Sequence, residues 1–134
     1  MGRRILAVVV ALIVAMGIIA IGQMGMAAMW AAPSPTVRQD PDAMRAYLEG
    51  LPTSAFVTLA VIYAVASFAG GFIATKMARR FGSSVAYSLI VGVLLFLAGA
   101  YNFLVALPYH PSWATALCLI LFIPMALLGY RLAR

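Results

Sequence analysis

Charged side chains are scarce in this chain: they make up 9% of its 134 residues, and only three are acidic. A water-soluble domain carries about 25% charged residues and about 45–50% apolar ones. Here 66% are hydrophobic, more than any water-soluble fold could cover, so lipid must be the solvent for much of the surface. Asp, Glu, Lys, Arg and His are all missing from the middle of the long apolar runs. Ionisable groups at membrane depth are costly and mark proton relays and ion paths, so their absence speaks against a proton-coupled antiporter built on a membrane carboxylate. The single histidine, His110, cannot furnish a multi-ligand metal site or a paired haem site. The single cysteine, Cys118, can form no intramolecular disulfide and reads as a small buried apolar residue. No phosphate-binding loop, dinucleotide fingerprint, Cys/His cluster or Ser/His/Asp set is evident, and no cofactor is expected.

Four segments meet the length needed to cross a bilayer, roughly 17–25 mainly apolar residues. They cover about 5–30, 54–75, 84–107 and 113–130 of one transmembrane domain. Gly2, Arg3 and Arg4 before an apolar run also describe a secretory signal peptide, but the run is longer than the usual 7–15-residue apolar region. Pro33 follows the obvious Ala-Ala cleavage point, so a retained helix is expected. The net charge of +6 does not point to nucleic acid, because the basic residues cluster at the ends of apolar runs, where they act as topology signals. Arg3, Arg4, Lys76, Arg79, Arg80, Arg131 and Arg134 fall on one side. Arg38 and Arg45 fall on the other, with Asp40, Asp42 and Glu49. The positive-inside rule places both termini in the cytoplasm of a bacterial inner membrane. It also sets Trp30, Tyr109 and Trp113 at the outer interface, which amphipathic rings favour.

The expected fold is therefore an all-α, integral membrane four-helix bundle held by small residues, since helices in lipid associate through close packing. Ala60, Ala64, Ser67, Gly71, Ala74 and Ala78 recur along one face of the second span. The first span carries a looser version in Ala7, Ala11, Ala15, Gly22 and Gly25. The third has Ser84, Ser88, Gly92 and Gly99, and the fourth Ala126, Gly129 and Ala133. These faces can pack within one chain, join protomers or line a pathway. Pro124 is expected to kink the fourth span. In the outer loop, 41–49 reads as a short surface helix capped by Asp40 and stopped by a left-handed Gly50. Met44, Tyr47, Leu48 and Leu51 form its apolar face, and Arg45 and Glu49 are i,i+4 partners. It is either a lid over a cavity or a tethered surface helix.

Uncharged polar groups gather toward the outer half. Gln23 and Asn102 lie at similar depths, where a hydrogen bond between them is expected; Gln23, Tyr101, Asn102 and His110 are the candidate lining of an outer-half cavity. Thr58, Tyr63 and Ser67 lie at neighbouring depths, though Ser and Thr hydroxyls in helices often bond to their own backbone. His110 between Tyr109 and Pro111 is either a pH-sensitive group or a solvated turn residue.

The stretch from Leu51 to Phe56, Ser67 to Gly71, Ala78-Arg79, Asn102, His110-Pro111 with Trp113, and Phe122 to Pro124 with Ala126 and Gly129 carry a resemblance. Over about 40–134 they resemble a group of small uncharacterised bacterial four-helix membrane proteins, which implies fold and membrane location and no activity. Gly71, Ala74 and Ala78 to Gly82 are similar to a cytoplasmic loop of major-facilitator transporters, without that loop's acidic residue and with too few helices for that fold.

The leading expectation is a non-enzymatic protein acting through self-association or as a subunit of another membrane protein, in contact with membrane lipids. The alternatives are a small oligomeric channel or transporter for a neutral or apolar solute, and a lipid- or quinone-modifying enzyme centred on His110.

Overall fold

In lipid a backbone must satisfy its polar groups internally, so each apolar run forms a helix. The computed structural model describes residues 1–82 and 85–134. Helix α1 covers Gly2–Met29; two short helices follow, α2 at Pro35–Gln39 and α3 at Pro41–Glu49. Helix α4 covers Thr53–Ala78 and is prolonged by a 3-10 turn at Arg79–Phe81. Helix α5 covers Val85–Tyr101, continues as a π-helical turn at Asn102–Ala106, and is followed by α6 at Ser112–Ala133. Among the described residues there is no strand. The four long helices are each long and apolar enough to cross a membrane, as the all-α four-helix reading requires.

The ends differ from the sequence expectation in an instructive way. Helices α4 and α6 take in Lys76 and Arg131, because long basic side chains reach the interface while their backbone stays helical. Helix α2 was not expected; its signal is local, Ser34 accepting the Val37 N–H with Pro35 in the first turn. Gly50 is not left-handed: its φ is −80°, and Pro52 sets the limit of α3 by having no N–H to donate. The only positive φ among the described residues belongs to Gly82, at +88°. Helix α6 runs through Pro124 without interruption. Ser84, expected on the small face of the third span, lies outside the described residues.

Both termini come to the same end of the bundle: Arg3 shares a crevice with Lys76 and Arg80, and Val85 shares another with Arg131 and Arg134. Helix α4 contacts all three other long helices, while α1 and α6 lie on opposite sides of the α4–α5 pair. The α4–α6 crossing is the tightest. A Cβ on Gly71 would collide with the Ala126 carbonyl, and one on Gly129 with the Phe68 carbonyl and the Phe72 nitrogen at 2.7 Å. The Ser88 hydroxyl donates to the Ala126 carbonyl, adding the third helix to the same point. Gly92 and Gly99 let α5 approach the Phe122–Ala126 stretch of α6.

Ala60, Ser67 and Ala74 are buried along the α4 seam, with Ala64 half-buried at its edge. On α1 the buried residues are Ala7, Ala11, Ala15 and Ile19, and Ala15 meets the position of a Gly70 Cβ. Gly22 still abuts Ile62, but nothing approaches Gly25. The α1 seam ends there.

Adding a methyl group where the obstacle is backbone cannot be relieved by a rotamer change, and overpacking costs roughly 1–3 kcal/mol. Gly129→Ala and Gly71→Ala are therefore expected to lower the unfolding temperature of the detergent-solubilised protein, whereas Gly25→Ala leaves it unchanged. Equal unfolding temperatures for Gly129→Ala and Gly25→Ala would contradict this close crossing.

Candidate functional site

Where α1 leaves α4 beyond Gly22, the bundle opens into a cavity of about 340 Å³, within the roughly 300–1,000 Å³ range of small-molecule pockets. One wall is the outer end of α1, with Gln23, Met26 and Trp30; the opposite wall is α4, with Phe56, Leu59 and Tyr63. Asn102, Leu107 and His110 close the side toward α5 and α6, and Arg38 stands at the rim. Met44, Tyr47 and Leu48 of α3 form the roof, continued by Leu51. The apolar face read from the spacing of α3 thus covers a cavity, and Met44 and Leu48 are buried by doing so.

The roof is fastened on two sides. The Tyr47 hydroxyl donates to the Ala31 carbonyl at 2.8 Å, tying α3 to the end of α1. Arg45 does not pair with Glu49; its guanidinium lies over the Tyr109 ring, 5.3 Å from the centroid, and so reaches the α5–α6 turn. Asp40 caps α3 through the Asp42 N–H. The roof is a strap anchored at both edges of the opening.

Beneath it an aromatic chain runs from the turn to the centre of the bundle. Trp113 packs edge-on to Phe56, and Phe56 to His110. His110 meets Phe103 at 4.7 Å, Phe103 meets Tyr63 at 5.9 Å, and Tyr63 meets Phe122 at 5.3 Å. All are edge-to-face except the tilted Tyr63–Phe122 pair, at 41°, and aromatic pairs of this kind are each worth about 0.5–1.5 kcal/mol beyond area burial. Phe103 reaches this position from the π turn, in which the Leu107 N–H bonds to the Asn102 carbonyl at 2.8 Å. The wider turn directs Phe103 inward and leaves Leu104 and Val105 toward lipid.

The expected site residues separate into two groups. Gln23, Asn102 and His110 come together at the cavity. Tyr101 does not: it is 64% exposed on the outside of α5, because consecutive helical residues point about 100° apart. The expected Gln23–Asn102 hydrogen bond is not made. Gln23 is in hydrogen-bonding reach of Tyr63 instead, and no described group bonds to the Asn102 amide. Thr58, Ser67 and Thr75 donate to the carbonyls of Ser54, Tyr63 and Gly71 on their own helix, so they are not part of the lining.

His110 Nδ1 lies 3.0 Å from the Leu107 carbonyl. A carbonyl can only accept, so Nδ1 carries the proton and Nε2 is left as an acceptor. Burial against Phe56 and Phe103 pulls its pKa below the ordinary 6.5, and the Leu107 hydrogen bond opposes this only in part. The ring is neutral at physiological pH. No group of three or more His, Cys, Asp or Glu residues comes together among the described residues. The Cys118 thiol is fully buried beside Tyr63.

Trp30, Tyr47 and Phe56 were not singled out as lining residues from the sequence. Trp30 reads as an interface ring, and only the departure of α1 from α4 turns it into a wall. No protein-family model, curated protein or solved structure matches this chain.

A second, smaller cavity of about 210 Å³ lies below the first and shares Gln23, Tyr63 and Asn102 with it. Its remaining walls are Met16 and Ile19 of α1, Leu95, Ala98 and Gly99 of α5, and Phe122.

Two outcomes follow from this geometry. The unfolded chain protonates His110 near 6.5, while the folded chain does so only at lower pH, so folding stability is complete above 6.5 and declines as pH falls below it. The unfolding temperature is expected to drop between pH 7.5 and pH 5.5, and His110→Phe, which keeps the aromatic packing, should flatten that drop; a parallel decline in the variant would refute the assignment to His110. Separately, Tyr47→Phe removes one strap. A hydrogen bond is worth about 0.5–1.5 kcal/mol, so an Ala27→Cys thiol in the cavity wall should react about fivefold faster with a maleimide once Tyr47→Phe is added. Unchanged labelling would mean the strap does not hold the roof.

Proposed function

We propose that this protein is a multi-pass bacterial inner-membrane protein that binds a small uncharged molecule in the cavity beneath α3 and does not convert it. The observation that carries this reading is the convergence of three neutral hydrogen-bonding side chains, Gln23, Tyr63 and Asn102, on a roofed and mostly apolar cavity, with His110 at its side and Arg38 at its rim. That pattern, an apolar wall with a few fixed polar groups, is how small-molecule sites are built. A non-catalytic role is supported by the wiring of His110, whose hydrogen bond is to a backbone carbonyl rather than to a carboxylate that could support proton transfer.

Acting through self-association has less behind it. The small faces that suggested it meet other helices of the same chain: Gly71 and Gly129 face each other across α4 and α6, and Gly92 and Gly99 face Ala126 and Phe122. Sidedness rests on charge. Seven basic residues share one end of the bundle, which the positive-inside rule assigns to the cytoplasm with both termini. The cavity then lies in the outer leaflet.

Native mass spectrometry of the protein in nanodiscs tests the binding. Wild type is expected to carry one small molecule per chain besides bulk phospholipid, and Ala27→Trp, which fills the cavity from an exposed position of α1, should lose it while keeping its unfolding temperature. Identical ligand profiles for the two proteins would refute the reading. In intact cells stripped of the outer membrane, Ala27→Cys should react with a membrane-impermeant maleimide while the buried Cys118 stays unmodified. Protection of Ala27→Cys until the inner membrane is opened would reverse the assigned orientation.

A further inference from the structure

Resting on the reading that the outer cavity holds a ligand, we infer that the ligand is an uncharged single-chain amphiphile that enters from the bilayer between α1 and α5. Its carbonyl or hydroxyl head is held by Gln23, Tyr63 and Asn102, and its tail lies in the crevice below them.

The two cavities are continuous through these three side chains, since each lines both. The upper cavity is roofed by α3 at its outer end, and both open sideways along α1: the upper past the exposed Ala27, the lower past Met16, 53% exposed, with Ala98 exposed opposite. A molecule arriving from water must displace a strap fastened at Ala31 and Tyr109. One arriving from lipid meets no strap. The crevice wall is apolar apart from the shared trio, and Met16, Ile19 and Leu95 carry it toward the middle of α1 and α5. A chain lying there would replace lipid contacts with protein contacts, at little cost in hydrophobic burial.

Depth and charge set the head. Gln23 lies two turns below Trp30, about 10 Å along the helix axis, so the head sits beneath the headgroup layer. A charged or zwitterionic head at that depth would be expensive; Gln23, Tyr63 and Asn102 bring no formal charge to compensate it, and the one charged residue of the lining, Arg38, stands at the rim of the upper cavity and does not line the lower one. Amide N–H groups and a phenol do suit a neutral acceptor. The Asn102 amide, to which no described group bonds, has a donor pair to offer.

The test uses the full chain in phosphatidylcholine nanodiscs, with hexadecanol carrying a mid-chain diazirine as the probe. Photolysis is expected to place cross-links on α1 near Met16 and on α5 near Leu95, competed by excess unlabelled hexadecanol and not by hexadecyl sulfate. Gln23→Leu with Asn102→Leu should reduce this labelling about tenfold. Ala98→Phe, which plugs the crevice from the lipid side without touching the trio, should reduce it independently. Cross-links spread evenly over all lipid-facing helices, and indifferent to these variants, would overturn the inference. Cross-links confined to the roof and the His110 turn would overturn lateral entry yet leave the outer-cavity reading standing. Absence of any specific cross-link, together with an empty cavity by native mass spectrometry, would remove both.

Discussion

The close approach of α4 and α6 at Gly71 and Gly129 is the constraint on which the remaining structure depends. At that crossing, backbone atoms stand where side chains would normally be, and α5 is drawn to the same level through the Ser88 hydroxyl on Ala126. Hydrophobic burial cannot supply such cohesion in lipid, because hydrocarbon surrounds a helix whether or not it is packed. Dispersion contacts and interhelical hydrogen bonds must do so, and both require small residues at the contact. Three helices thus form one tightly keyed unit near the basic end. The fourth, α1, is attached along an alanine stripe that ends at Ile19 and Gly22.

The opening follows from that asymmetry. Near the termini α1 lies close because Ala7, Ala11 and Ala15 permit it, and toward the other end the small-residue contact gives way to side chains, Gln23 toward Tyr63 and Met26 against the core. The space is bounded by side chains with other structural duties. Phe103 and Tyr63 belong to the aromatic chain that joins His110 to Phe122, and Leu48 and Met44 are apolar residues of a surface helix needing cover. A rigid base and a loosely held wall are the two components a pocket needs to admit a guest without unfolding. The roof has intermediate character, held by one neutral hydrogen bond and one cation–ring contact, each modest in strength.

Much of this was legible in the sequence, for identifiable reasons. Spans are visible because apolar runs of that length have one stable form in lipid, and α3 is visible because Asp40, Pro41 and the spacing of Met44, Tyr47 and Leu48 are local signals. The meeting of Gln23, Asn102 and His110 could be anticipated from depth alone. Direction around the helix axis could not. Tyr101 and Asn102 are neighbours at equal depth, and only packing decides that one faces lipid and the other the cavity. The point where α1 parts from α4 was equally hidden, since Gly22 and Gly25 look alike until their neighbours are known. The π turn had no sequence signal either: Asn102 to Ala106 is as apolar as the helix that precedes it.

That π turn also shapes how such a protein can diverge. It holds one residue more than a regular helical turn, so the loss of a single residue between Asn102 and Ala106 would restore α geometry and rotate everything beyond it by about 100°. The residues beyond the loss would turn relative to Asn102, and the aromatic contact between Phe103 and His110 would be broken. No point substitution produces that exchange. Across relatives, lining chemistry at this end of α5 would change in discrete steps set by chain length, and a one-residue gap in an alignment would mark a change of cavity lining that the letters around it conceal.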